Sequence, residues 1–131
     1  MKGKAKIIAY WATTILGPAS FAIGGVLFLT RNEQPVASMT HLGYPLYILT
    51  ILGVWKLLGA IAVVIPRFPR LKEWAYAGFF FELSGAAASH AFNGDPFFGA
   101  GPQQIASPLL FLALVIASWA LRPPERKVAV R

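Results

Sequence analysis

Long apolar runs separated by short polar blocks dominate this chain. The runs cover residues 7–30, 46–65, 74–92 and 104–121. A helix needs about 20 apolar residues to cross the hydrocarbon core of a bilayer, and each run is close to that length. Backbone polar groups in lipid must be satisfied within their own segment, so each run should be helical. The pattern predicts a single all-α domain over residues 1–131, an antiparallel bundle of four transmembrane helices.

Proline, glycine and other turn residues mark the ends of these runs. Residues 31–45 form the predicted first loop. The segment PRFPR at 66–70 ends the second run, because proline cannot continue the helical hydrogen-bond ladder. The segment NGDP at 93–96 ends the third run. Within the first run, Gly17-Pro18 predicts a kink near the middle.

Composition favours a membrane protein over a soluble one. Hydrophobic residues make up 56% of the chain and charged residues only 13%, against about 25% charged residues in soluble domains. The chain has no cysteine, which excludes disulfides, thiolate nucleophiles and cysteine-bound metals. It also lacks a nucleotide-binding loop, a catalytic triad and an HExxH motif. The sequence therefore leaves open whether the protein is an enzyme.

The basic residues predict an orientation in the membrane. Net charge is +7, and ten of the 12 lysines and arginines lie in the N-terminal segment, the loop after the second run and the C-terminal tail. A four-span arrangement puts all three segments on one side. Lys and Arg favour the cytoplasmic side, so both termini are predicted to be cytoplasmic in a multi-pass protein of the bacterial inner membrane. Because the charges flank apolar runs, they point to topology rather than to nucleic acid.

Lys56 and Glu82 are opposite charges inside the second and third runs. Lys56 lies nine residues before the inner end of its run, and Glu82 lies eight residues after the inner end of the next. At about 1.5 Å per residue, both lie about 12–14 Å from that boundary. The short loop makes the helices neighbours, so the two side chains are predicted to pair. The pair either fixes helix register or borders a small-molecule pocket.

Small residues share the helical faces of these charges. Gly53 is on the face of Lys56, and Gly78 is on the face of Glu82. Small residues at such positions let membrane helices approach closely. We therefore expect a close approach between the second and third runs.

Polar residues gather at the predicted outer end. His90 lies two turns beyond Glu82, Asp95 follows in the turn, and His41 lies in the first loop. Gln104 begins the fourth run at the same level. His41, Asp95 and His90 are either a proton relay, since histidine titrates near neutrality, or ordinary interfacial groups. Their unrelated spacing is not a zinc motif, so no metal is predicted.

Three segments resemble the DoxX-like family of small four-span membrane proteins. They are HLGYP at 41–45, GVWKLLGAIAVVIPRFPRLKEWAYAG at 53–78 and FELSGAAASHAFNGDP at 81–96. The resemblance extends from about residue 13 to the end of the fourth run. This family takes its name from a subunit of an archaeal thiosulfate:quinone oxidoreductase. More distant animal relatives act as assembly factors for membrane receptors.

The resemblance carries expectations for function. It matches the family's lysine, glutamate and histidine to Lys56, Glu82 and His90. It implies a small apolar, quinone-like ligand near the pair, or a membrane subunit of an oxidoreductase whose partner holds the redox centre. No cofactor is evident in the chain itself. One alternative is a non-catalytic assembly or interaction protein, and another is proton or solute transport through Glu82 and His90. The expected partners are the bilayer, a membrane protein or a second copy.

Overall fold

Helices account for the regular structure of the protein. The computed structural model describes residues 3–99 and 104–127, and within them there is no β-strand. The helices, in chain order, are α1 (Gly3–Leu16), α2 (Phe21–Leu29), α3 (Glu33–Leu42), α4 (Tyr47–Val64), α5 (Pro69–Phe92) and α6 (Ala106–Leu121). Short 3-10 turns lie at Pro18–Ser20 and Pro124–Arg126. The all-α class predicted from the apolar runs is confirmed.

The first apolar run divides into α1 and α2 at Gly17-Pro18. Proline has no N–H to donate, so the helical ladder is interrupted there. The hydroxyl of Ser20 donates to the carbonyls of Leu16 at 3.1 Å and Gly17 at 2.6 Å, which satisfies backbone oxygens at the break. α1 packs on α6, whereas α2 packs on α4. Because of this break, the two parts of one apolar run pack against different helices.

α2 and α4 make a close backbone contact. A Cβ atom added to Gly25 would lie 2.9 Å from the Gly53 carbonyl oxygen, and one added to Gly53 would lie 3.1 Å from the Gly25 carbonyl oxygen. A Cβ on Gly78 would meet nothing within 4 Å. The expectation that Gly78 draws α5 onto α4 was wrong. Gly78 is exposed, and the Phe79 ring instead fills the space beside Gly59 of α4.

The segment 31–45, predicted as a loop, contains helix α3. Asn32 caps its N-terminus, with a side-chain oxygen that accepts a hydrogen bond from the Gln34 N–H at 3.2 Å. Gly43 ends it in the left-handed conformation, with φ of 83°. The loop prediction was wrong here because the polar composition of the segment hides two capping signals.

The other helices follow the predicted runs with one clear shift. α4 and α6 begin and end within two residues of the predicted limits. α5 begins at Pro69 rather than at 74, because proline has the right φ for the first helical turn and its missing N–H costs nothing there.

α5 packs against both α4 and α6. The buried core that it helps to form consists of Phe21, Val63, Tyr76, Phe79, Leu83 and Val115. A buried hydroxyl chain joins three helices beside this core. The Ser118 hydroxyl lies 2.6 Å from that of Thr14 and 2.8 Å from that of Tyr76.

Two helical segments are long and apolar enough to cross a membrane, by length and composition. They are Gly3–Leu29, with 27 residues, and Tyr47–Val64, with 18. α6 is apolar but has 16 residues, and the longer α5 carries charged residues. Large apolar side chains face outward, including Trp74 at 75% and Phe81 at 70% exposure. An apolar exterior of this extent is typical of a protein that lies in lipid.

Candidate functional site

Lys56 and Glu82 meet between α4 and α5. The ammonium Nζ of Lys56 makes an ion pair with Oε1 of Glu82. The two side chains are 8% and 19% exposed. Gly53, Lys56 and Ala60 form one buried stripe of α4, spaced so that all three lie on the same helical face. The structure therefore brings together the two charges that the sequence placed at one depth.

Two phenylalanine rings enclose the ammonium on its other side. Lys56 Nζ lies 4.4 Å from the centroid of Phe21 and 4.8 Å from that of Phe28. Both distances suit cation–π attraction. Phe21 and Phe28 are seven residues apart on α2, so they share a helical face. Neither ring was predicted from the sequence, because their contact with Lys56 is set by packing between helices that are distant in the chain.

A cavity of about 480 Å³ lies between α4 and α5, next to the ion pair. It is lined mainly by apolar side chains, among them Trp55, Trp74 and Phe79. Glu82 is the charged residue of this lining, whereas Lys56 lies behind it. We refer to this space as the Glu82 cavity. A molecule within it would meet an apolar surface and one carboxylate.

His41, Asp95 and His90 form a second charged group, here called the outer cluster. Asp95 Oδ1 lies 2.6 Å from Nε2 of His41, and its Oδ2 lies 2.6 Å from Nδ1 of His90. The Asp95 side chain is only 7% exposed. One carboxylate thus ties α3 to the C-terminal end of α5. The structure brings these three residues together.

Hydrogen bonding fixes the protonation of this cluster. The hydrogen bond from His90, supplemented by that from His41, holds the pKa of Asp95 below its usual range. Asp95 is therefore ionised near neutral pH and accepts a hydrogen bond from each facing imidazole nitrogen. His90 then carries a hydrogen on Nδ1, which it donates to Asp95 Oδ2.

Further contacts complete this end of the molecule. The Tyr44 hydroxyl lies 2.6 Å from the Ser89 hydroxyl and provides a second tie across to α5. The side-chain amide of Gln104 donates to the Gly99 carbonyl at 3.0 Å. Sequence analysis missed the Tyr44–Ser89 contact, which depends on the course of the chain after α3. Within residues 3–99 and 104–127, no group of three or more His, Asp or Glu residues is arranged to hold a metal ion.

An outer cavity of about 330 Å³ lies beside the outer cluster. His90 lines it from α5, Gln34 from α3 and Phe28 from α2. The Phe28 ring also contacts Lys56 Nζ. The outer cavity thus lies between the imidazole of the outer cluster and a ring that encloses the lysine.

These features define an all-helical membrane protein with charged side chains inside its apolar helices. The chain belongs to the DoxX-like family, whose sequence model matches residues 12–118. The matched range includes Lys56, Glu82 and the outer cluster, so the resemblance noted in the sequence is confirmed. No curated protein and no solved structure matches the chain.

Proposed function

We propose that the chain is a multi-pass protein of the bacterial inner membrane, an antiparallel bundle of four spans with both termini cytoplasmic. Contact pairs between neighbouring helices support this arrangement. Lys56 contacts Glu82, and about one turn further along α4 Gly59 faces Phe79. The residue numbers rise on α4 as they fall on α5, so the two helices run antiparallel. The bias of basic residues toward one side supports the orientation. In this arrangement α1 and α2 together make the first span.

The cysteine-free sequence offers a direct test of this topology. A single cysteine at Lys127 should be labelled by an impermeant maleimide only after the inner membrane is opened. A single cysteine at Ser38 should be labelled in intact spheroplasts. Labelling of both positions from the same side would refute the four-span arrangement.

We infer that the Glu82 cavity binds a small apolar molecule with a polar head group, such as a quinone. The observation that carries this proposal is a largely apolar space of about 480 Å³ with one carboxylate in its lining. Ligand sites are commonly apolar clefts with a few polar groups that fix orientation. Lys56 pairs with Glu82 in this setting, and Glu82 can accept a hydrogen bond from a donor on the ligand. A redox role as an oxidoreductase subunit would use a centre carried by a partner protein.

Tryptophan fluorescence provides the binding test, since Trp55 and Trp74 line the cavity. Decylubiquinone should quench the purified protein with saturation. Glu82→Gln should weaken binding about tenfold, which corresponds to the loss of one charged hydrogen-bond partner. Glu73→Gln is the matched control, because Glu73 is a carboxylate of the same helix outside this cavity. Unchanged affinity in a folded Glu82→Gln variant would refute the proposal.

A non-catalytic assembly or interaction protein is the second candidate. It is favoured by the enclosure of Lys56, whose ammonium has Glu82 and the rings of Phe21 and Phe28 as its partners. A pair with these internal contacts suits a purely structural role. Purification from native membranes should then recover a stoichiometric membrane-protein partner, and the parent protein should bind no quinone. Recovery of the chain alone would count against this candidate.

A further inference from the structure

A basic cavity lies near the N-terminal end of α1 and the loop between α4 and α5, and the proposed function does not use it. It encloses about 360 Å³. The lining residues are Ile7, Trp11, Pro66, Arg67, Pro123 and Arg126. Two guanidinium groups thus share a small space with apolar walls, and no carboxylate is among the described residues of this lining. An anion with an apolar body would match this chemistry.

Arg126 is held in place by the C-terminal end of α4. Its Nη1 donates to the carbonyls of Val63 at 2.9 Å and Ile65 at 3.2 Å, and its Nη2 donates to that of Val64 at 3.2 Å. A helix carries partial negative charge at this end, so the cation is stabilised there. The guanidinium also lies 4.9 Å from the centroid of Trp11. Three of its five N–H groups are used in these bonds, and the others remain for a ligand.

Arg67, unlike Arg126, lies in a turn that follows α4. Among the described residues its side chain makes no ion pair or hydrogen bond. Arg67 and Phe68 have φ values of 69° and 54°, which are costly for residues other than glycine. This turn sets the exposed guanidinium beside the one that α4 holds in place. The cavity thus combines a fixed cation with one that has no counterion among the described residues.

We propose that this basic cavity binds the phosphate group of an anionic glycerophospholipid. Arg67 and Arg126 supply the forked N–H donors that suit phosphate oxygens. Ile7, which is 52% exposed, and Trp11 supply an apolar surface for the glycerol and upper acyl chains. The assignment of the phosphate to a lipid rests on the proposed topology, which places the cavity at the cytoplasmic leaflet, where anionic lipids are recruited by basic residues. Free phosphate offers the same oxygens without the apolar part.

Native mass spectrometry of the full chain in detergent tests this site. Phosphatidylglycerol should be retained in preference to phosphatidylcholine with the same acyl chains. Arg67→Gln should reduce that preference about fivefold, as expected for one cation near a lipid phosphate. Arg70→Gln is the matched control, because it removes an exposed charge from the same region outside the cavity lining. The control should keep the preference.

Other outcomes separate the alternatives. Equal loss in Arg67→Gln and Arg70→Gln would show a general charge effect and overturn the proposal, as would equal retention of the two lipids by the parent. Displacement of phosphatidylglycerol by millimolar inorganic phosphate would assign the site to free phosphate instead of lipid. Glu82→Gln should leave the lipid preference unchanged, so failure of the quinone test and failure of this one are distinguishable.

Discussion

The Lys56–Glu82 pair and the outer cluster both join helical segments through a carboxylate, yet they differ in surroundings. The first pair lies along the length of α4 and α5, with phenylalanine rings against the lysine and with side chains no more than 19% exposed. The outer cluster lies where α5 ends, and its His41 side chain is 37% exposed. One pair is enclosed, and the other extends to the surface.

This difference separates two uses of charge. A lysine and a glutamate that pair in an apolar interior compensate each other, because either charge alone would be costly there. The outer cluster instead joins one carboxylate to two imidazoles at the end of α5, and part of it reaches the surface. The enclosed pair suits ligand orientation or helix register, and the outer cluster suits a tie that holds α3 to α5.

Replacement of Lys56 should cause the largest loss of stability among the variants considered. Lys56→Met leaves the Glu82 carboxylate without its cation, and removal of one partner from a buried pair costs about 3 kcal/mol. Thermal or denaturant unfolding in detergent should show this loss. The double variant Lys56→Met/Glu82→Gln should recover most of it, since no lone charge remains. A double variant as unstable as the sum of the two single changes would contradict an enclosed pair.

A substitution at Gly25 should cause the next largest loss of stability, because packing at this glycine sets the distance between α2 and α4, the helix that carries Lys56. In Gly25→Ala the new Cβ would lie 2.8 Å from Leu57 Cγ and 2.9 Å from the Gly53 carbonyl oxygen. Overpacking of this kind costs about 1–3 kcal/mol in unfolding experiments. Gly78→Ala is the control, since its Cβ would meet no atom within 4 Å. Equal stability of both variants would refute the close contact of α2 with α4.

The depth of the enclosed pair was predictable, and its surroundings were not. Counting residues from the helix ends places Lys56 and Glu82 at one level, because the helical rise is constant. The rings of Phe21 and Phe28 reach Lys56 only because Gly25 and Gly53 let α2 and α4 approach, which is a contact between helices distant in sequence. Such packing is set by tertiary contacts and leaves little mark on local periodicity.

The outer cluster was predicted as a group, although the path that forms it was not. His90 and Asp95 are close in sequence, so one turn of chain brings them together. His41 joins them because residues 33–42 fold into α3, which carries His41 in its last turn. The capping residues Asn32 and Gly43 were visible in the sequence, but the polar composition between them indicated a loop.

Lys72 is another buried ionisable residue of α5, at the opposite end of the helix from the outer cluster and before the proposed span at 74–92. It is fully buried and donates to the carbonyls of Ala62 at 2.8 Å and Ile65. Desolvation, together with nearby Arg126, lowers its pKa to about 8 from 10.5. Between these values the unfolded chain keeps a proton that the folded protein has lost. The free energy of unfolding should therefore rise with pH across this window.

Unfolding of the parent and of Lys72→Met between pH 7 and 11 checks this slope. The variant should lack the rise that the parent shows. Parallel curves for the two proteins would show that another group titrates.

Asp95→Asn should have the smallest effect, confined to the outer cluster. Asp95 has a lowered pKa, so its contribution to stability is present above the ordinary carboxyl pKa, about 3.9, and is lost as pH falls through the folded-state value. Proteolysis of α3 should be faster in the variant near neutral pH, and this difference should vanish in strong acid. A difference that persists below pH 2 would contradict a tie that depends on the ionised Asp95 carboxylate.

The interruption at Gly17-Pro18 has a consequence for how this molecule can change over evolution. In an unbroken helix, insertion of one residue rotates everything beyond it by about 100°. The 3-10 turn at Pro18–Ser20 ends that coupling between α1 and α2. The rotation of α1 about its axis brings Thr14 to Ser118. The rotation of α2 about its axis brings Phe21 and Phe28 to Lys56. The two rotations can thus change independently. Selection can adjust one interface while the other keeps its register.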